Sequence, residues 1–78
     1  MSAPHELAAD FPGQADRIHA LRAADAHFRS LTDRYHAANR AVHRAEDRTE
    51  TVSGAEETRL RRERMMLKDQ IAAALSHA

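Results

Sequence analysis

Six histidines, a single lysine against eleven arginines, and the dipeptide Lys68-Asp69 are the side chains through which this chain could do chemistry. Histidine ligates metals and moves protons near neutral pH, so spacing is the first test. His36 and His43 stand seven apart and His19 and His27 eight apart. On a helix each pair shares a face across about 10 Å, too far for one ion. No two histidines show the i, i+4 spacing of a helical zinc pair. The sequence therefore points to no metal site, and the histidines read as solvated helix-surface groups with a mild pH response.

A nucleotide site needs a glycine-rich loop that brings backbone amides to phosphate, and Gly13 and Gly54 stand alone, far from Lys68. There is no cysteine to serve as a thiol nucleophile or thiolate ligand, and no serine elbow. No catalytic residue and no cofactor are expected, and the chain is read as not an enzyme.

The stretch "RLRRERMMLK", Arg59 to Lys68, could form a basic face for nucleic acid through Arg61, Arg62, Arg64 and Lys68. Helical neighbour spacing pairs Glu56 with Arg59, Glu57 with Arg61, and Arg59 with Glu63. That leaves Arg62, Arg64 and Lys68 unanswered, so nucleic acid is the alternative rather than the favoured partner. Neither Lys68 nor Asp69 has an opposite charge three or four positions away. Any partner lies outside their helix, with Asp33, Arg34 and Arg29 at the matching level of the other one.

The elements that must position these groups follow from periodicity. From Leu21 the apolar residues recur at steps of three and four: Leu21, Ala24, Phe28, Leu31, Tyr35, Ala38, Val42, Ala45. Eight matches to a heptad seam specify an amphipathic helix. It should start near Phe11-Pro12-Gly13, with Pro12 in a first-turn position and Asp10 as a candidate cap. With no breaker before Thr49, helix one is expected over about 13–48, roughly 50 Å long. A turn is expected at 49–53, where Ser53 and Glu56 match the capping box. Helix two should then run over about 54–77 on the stripe Leu60, Leu67, Ile71, Ala74 and Leu75.

The expected fold is therefore all-α: an antiparallel two-helix hairpin with a longer first helix, behind a partly ordered N-terminal segment over residues 1–12. Folding back at the turn sets Leu60 near Val42, Leu67 near Tyr35 and Leu75 near Phe28. Helix two then ends short of Leu21 and Ile18. Their cover must come from the segment carrying Leu7 and Phe11 or from a second copy of the chain. Dimerisation into a four-helix bundle is the simplest way to bury them together with Met65 and Met66, which fall off the stripe.

Composition agrees. Alanine, arginine and acidic residues dominate, aromatic residues make up 4% of the chain, and little of it could build a sheet. Twelve basic residues balance twelve acidic ones, so no global field draws the chain to nucleic acid or an anionic membrane. No stretch approaches the roughly 20 apolar residues of a membrane span, and the N-terminus lacks signal-peptide character. A cytoplasmic location, with no membrane partner, is expected.

The chain also resembles the YdcH-like family of small bacterial helical proteins, a domain of unknown function. The resemblance is carried by "HEL" at His5 to Leu7, "DFP" at Asp10 to Pro12, "DRIHAL" at Asp16 to Leu21, "HFRSLTDRYH" at His27 to His36, "HRAE" at His43 to Glu46 and "LKD" at Leu67 to Asp69. It implies a helical hairpin with a longer first helix and supplies no catalytic or ligand residues. The functional expectation is a noncatalytic helical interaction module. It would bind a second copy of itself, as a homodimer, or an unknown protein through Ile18, Leu21, Met65, Met66, Lys68 and Asp69.

Overall fold

The computed structural model describes residues 3–47 and 51–77, with side chains from Leu7 onward. Among them it contains four helices and no strand: α1 (Ala3–Asp10), α2 (Ala15–Ala24), α3 (Ala26–Glu46) and α4 (Gly54–His77). The all-α class is as expected, and α4 has the expected bounds. The region before it differs: α1 lies within the expected N-terminal segment, and the expected helix one is divided at Asp25 into α2 and α3. The end of helix one near 48 and the beginning of the turn at 49 fall outside the described residues.

Pro12 and Gly13 do not open a helix. Gln14 N–H donates to the Phe11 carbonyl at 3.1 Å, closing a four-residue turn. Within it Pro12 takes the second position and Gly13 the third, at φ +79°. Proline pre-sets the first of these conformations and glycine alone enters the second without a Cβ clash, the chemistry of a type II turn. Asp10 is accordingly the last residue of α1 rather than the cap of the helix that follows.

The expected continuous helix breaks again at Asp25, without glycine or proline. Asp25 is extended, at φ −129° and ψ 109°. Its carboxylate accepts from His27 N–H at 2.9 Å and Phe28 N–H at 3.1 Å, satisfying two of the orphan donors at the start of α3. Across the corner, the Arg29 guanidinium donates to the Arg22 carbonyl at 2.7 Å, which answers an orphan acceptor at the end of α2. The Asp25 cap and the Arg29 bond make a corner affordable where the heptad pattern reads straight through.

Burial supplies the drive for that corner. Straightened, helix one would extend about 50 Å, whereas the longest dimension of the Cα trace is 38 Å. The bend lays α2 back against α3 and brings α1 with it, so Ile18 is 5% and Leu7 2% exposed. Each such side chain contributes about 1.5–3 kcal/mol on leaving water. Ile18 is therefore buried rather than overhanging, and Leu21 is half-buried. Ile18 joins the core with Leu7, Phe28, Leu31, Tyr35, Leu67, Ile71 and Leu75, and Leu21 and Phe11 pack against it. The N-terminal segment carrying Leu7 and Phe11 provides cover.

α3 and α4 run in opposite directions side by side. Arg61 pairs with Glu46 at 2.9 Å and Arg64 donates to Asn39 at 2.9 Å, so numbering rises on one helix as it falls on the other. The opposed direction is the one the two stripes predict. Val42 and Leu60 are buried beyond the main cluster, toward the turn. The Ser53 hydroxyl accepts from Glu56 N–H at 3.0 Å, giving one half of the predicted capping box. The Glu56 carboxylate turns instead to Arg59.

Candidate functional site

α3 buries two adjacent stripes rather than one. Besides the apolar seam, Thr32, His36 and Asn39 are buried, at the steps of four and three that mark a single helix face. Thr32 donates to the Arg29 carbonyl at 2.9 Å and accepts from Arg22, which also forms an ion pair with Asp33 at 2.9 Å. His36 meets the ring of Tyr35 edge-on at 6.0 Å between centroids. It also lines a cavity of about 220 Å³ beside Leu7, Ile18 and His19. Asn39 lies at the other end of this stripe, where the cover is α4.

There the end of α1, the middle of α3 and the middle of α4 enclose an open groove of about 580 Å³. α1 contributes Ala9 and Asp10, α3 contributes Tyr35, Asn39 and His43, and α4 contributes Arg61, Arg64, Met65 and Lys68. The α4 residues, at steps of three, one and three, share one side of the helix over two turns. Asp10 is the linchpin of the α1 side: its carboxylate accepts the Tyr35 hydroxyl and stands 3.9 Å from the Lys68 ammonium. Asp33, Arg34 and Arg29 are thus not what Lys68 faces; Asp33 is engaged by Arg22.

The cations of the groove are answered unequally. Arg61 meets Glu46 at 2.9 Å and Glu57 at 2.7 Å. Arg64 donates to the neutral amide oxygen of Asn39, and among the described residues no carboxylate pairs with it. Lys68 has Asp10 only beyond hydrogen-bond range. Arg62 is exposed and does not line the groove. Three of the four arginine and lysine positions proposed for nucleic acid are therefore brought together, and the fourth is not.

Of the remaining positions singled out in the sequence, Met65 and Met66 are 59% and 52% exposed. Asp69 is exposed, with no ion pair among the described residues. At the start of α4, Arg59 holds Glu56 in a two-pronged bond at 2.9 and 2.7 Å and reaches Glu63 at 3.6 Å. That hydrogen bond holds the Glu56 carboxyl below its ordinary value and raises the Arg59 guanidinium above its own. Among the described residues no three His, Cys, Asp or Glu side chains come together as a metal would require.

Asp10, Asn39 and His43 escaped the sequence reading of the groove. Asn39 and His43 carried a signal, the polar stripe Thr32, His36, Asn39, His43 running beside the seam. Asp10 carried none, because its place depends on a chain reversal at Pro12-Gly13 and another at Asp25. Chemically the arrangement is a groove that combines three cations and one carboxylate with the apolar side chain of Met65, and no described helix is long and apolar enough to cross a membrane.

Comparison with known proteins adds a family. The family model described as "Protein of unknown function (DUF465)" matches residues 28–75, which span α3 from its first turn to nearly the end of α4. α1, α2 and the corner at Asp25 precede the matched stretch. No curated protein and no solved structure matches the chain.

Proposed function

This chain belongs to DUF465, a family of unknown function that includes the YdcH-like small bacterial proteins, and from that premise we propose that it is a noncatalytic, cytoplasmic helical interaction module. Its working surface is the outward face of α4, with Met65, Met66, Lys68 and Asp69. The observation that carries this reading is the pair of methionines, the large apolar side chains left exposed among the described residues while Leu7, Ile18 and the seam from Phe28 to Val42 are covered. Methionine is flexible and polarizable, suited to a contact that must adapt to its partner. Pairing two such faces would give a four-helix bundle from two α3–α4 pairs, and a different protein would use the same face.

Lys68 is the sole lysine, so amine-reactive crosslinking samples this face directly. Crosslinking with mass spectrometry on native lysate, alongside light scattering of the purified protein, should yield a Lys68 crosslink to a second copy or to a partner. Met65→Glu should abolish it. A monomer at high concentration that also forms no Lys68 crosslink in lysate would overturn the reading.

The second reading, a nucleic-acid-associated module, has the convergence of Arg61, Arg64 and Lys68 in its favour. It predicts binding that falls steeply with salt, because each neutralised phosphate releases counterions. Unchanged RNA and DNA mobility at low salt would remove it.

A further inference from the structure

We propose that the groove between the end of α1, α3 and α4 docks an acidic peptide segment of a partner protein. Arg64 and Lys68 meet its carboxylates and Met65 packs against an apolar residue between them. The inference rests on the interaction-module reading and names the chemistry of the partner.

Charge complementarity selects the ligand. The groove is lined by three cations and one carboxylate, Asp10. Arg61 is already met by Glu46 and Glu57, which leaves Arg64 and Lys68 as the receptive pair. Arg64 is held in place by a neutral acceptor, Asn39, at 2.9 Å, so it is oriented while its charge stays unneutralised by any described residue. The Lys68 ammonium forms only a long ion pair with Asp10, at 3.9 Å and outside hydrogen-bond range, so its donors remain available to a ligand carboxylate. Arg64 and Lys68 lie four apart on α4, so their side chains leave the helix about 6 Å from each other. Carboxylates one helical turn apart on a peptide match that interval.

Size and surface character favour a peptide over a nucleic acid. A groove of about 580 Å³ accepts a few side chains rather than a domain face. A phosphate backbone would require a longer run of unanswered cations, and Arg62 lies outside the groove. Single strands bind by stacking bases on exposed aromatic rings. Here Phe28 and Tyr35 are buried and Phe11 packs against the core. Met65, on the groove wall, suits an aliphatic residue instead.

The test is fluorescence anisotropy with a short labelled peptide of repeating Glu-Glu-Leu at low salt. Its controls are the same peptide with Gln for Glu and an oligothymidylate of equal length. The acidic peptide should bind saturably, and the Gln peptide should not. Arg64→Ala and Lys68→Ala should each weaken binding about fivefold to tenfold. Arg62→Ala, off the groove, should change it less than about twofold, with helical circular dichroism unchanged in all three. Failure of the acidic peptide to bind, equal binding of the Gln peptide, an Arg62→Ala loss as large as that of Arg64→Ala, or tighter binding of the oligothymidylate would each overturn the proposal. A Lys68 crosslink to a partner that persists in Arg64→Ala, with no peptide binding by the native chain, would remove the groove as the docking site and leave the interaction module standing.

Discussion

Asp25 shows how much one side chain can decide. Its carboxylate accepts two backbone donors of α3, and its own N–H closes α2 onto the Leu21 carbonyl at 2.8 Å. Asp25→Ala should therefore cost about 1 kcal/mol in urea unfolding, and Asp25→Asn, which keeps an acceptor, much less. Glu56 is the residue whose charge responds most legibly to pH. The Arg59 hydrogen bond lowers its folded-state value, so the unfolded chain binds the proton more readily. Its contribution is complete above the ordinary glutamate range and is lost as pH falls through the lowered value. Glu56→Gln should flatten the acid limb of stability against pH, measured by urea titration across that range, and leave the neutral limb unchanged. Both carboxylates were visible in the sequence. The capping box identified Ser53 and Glu56, whereas nothing local separates Asp25 from the other aspartates flanked by alanine or arginine.

At the scale of elements, the seam predicts α4 and the body of α3 because buried apolar residues of both join one core. It fails upstream of Phe28 because periodicity reports a face and not what covers it. Leu21 and Ala24 continue the pattern, yet the helix carrying them is turned back. Ile18 measures the value of that turn. Ile18→Ala should destabilise the protein by about 2–4 kcal/mol, since Ile18 lies at the contact of α1, α2 and α3 and its loss leaves a cavity. Met65→Ala, on the exposed face of α4, should change stability by less than about 0.5 kcal/mol. Comparing the two by thermal unfolding separates residues that hold the fold from residues left available for contact. The groove is legible in part on the same grounds: Arg61, Arg64, Met65 and Lys68 belong to one helix and share one side of it by spacing alone. Asp10, which closes it, comes from an element the seam does not describe.

Over the whole molecule, the α1–α2 arm and the α3–α4 pair carry different duties. The family match covers the pair and leaves out the arm, while the arm covers Phe28, Leu31 and Tyr35 through Leu7 and Ile18. A chain starting at Asp25 should keep most of its α3 and α4 helicity by circular dichroism but lose cooperative melting or associate, read by calorimetry and light scattering. A sharp monomeric transition in that fragment would show that the arm adds little to the core. Composition, the two stripes and the Ser53 cap determine by sequence alone that this protein is all-helical, that α4 spans Gly54–His77, and that it runs antiparallel to α3. Those are consequences of local propensity and periodicity, which act between residues a few positions apart. The corners at Pro12-Gly13 and Asp25, the burial of Ile18, and the meeting of Asp10 with Tyr35 and Lys68 were decided by tertiary structure. They depend on which surface the N-terminal residues find to cover, and that surface exists only once α3 and α4 have come together.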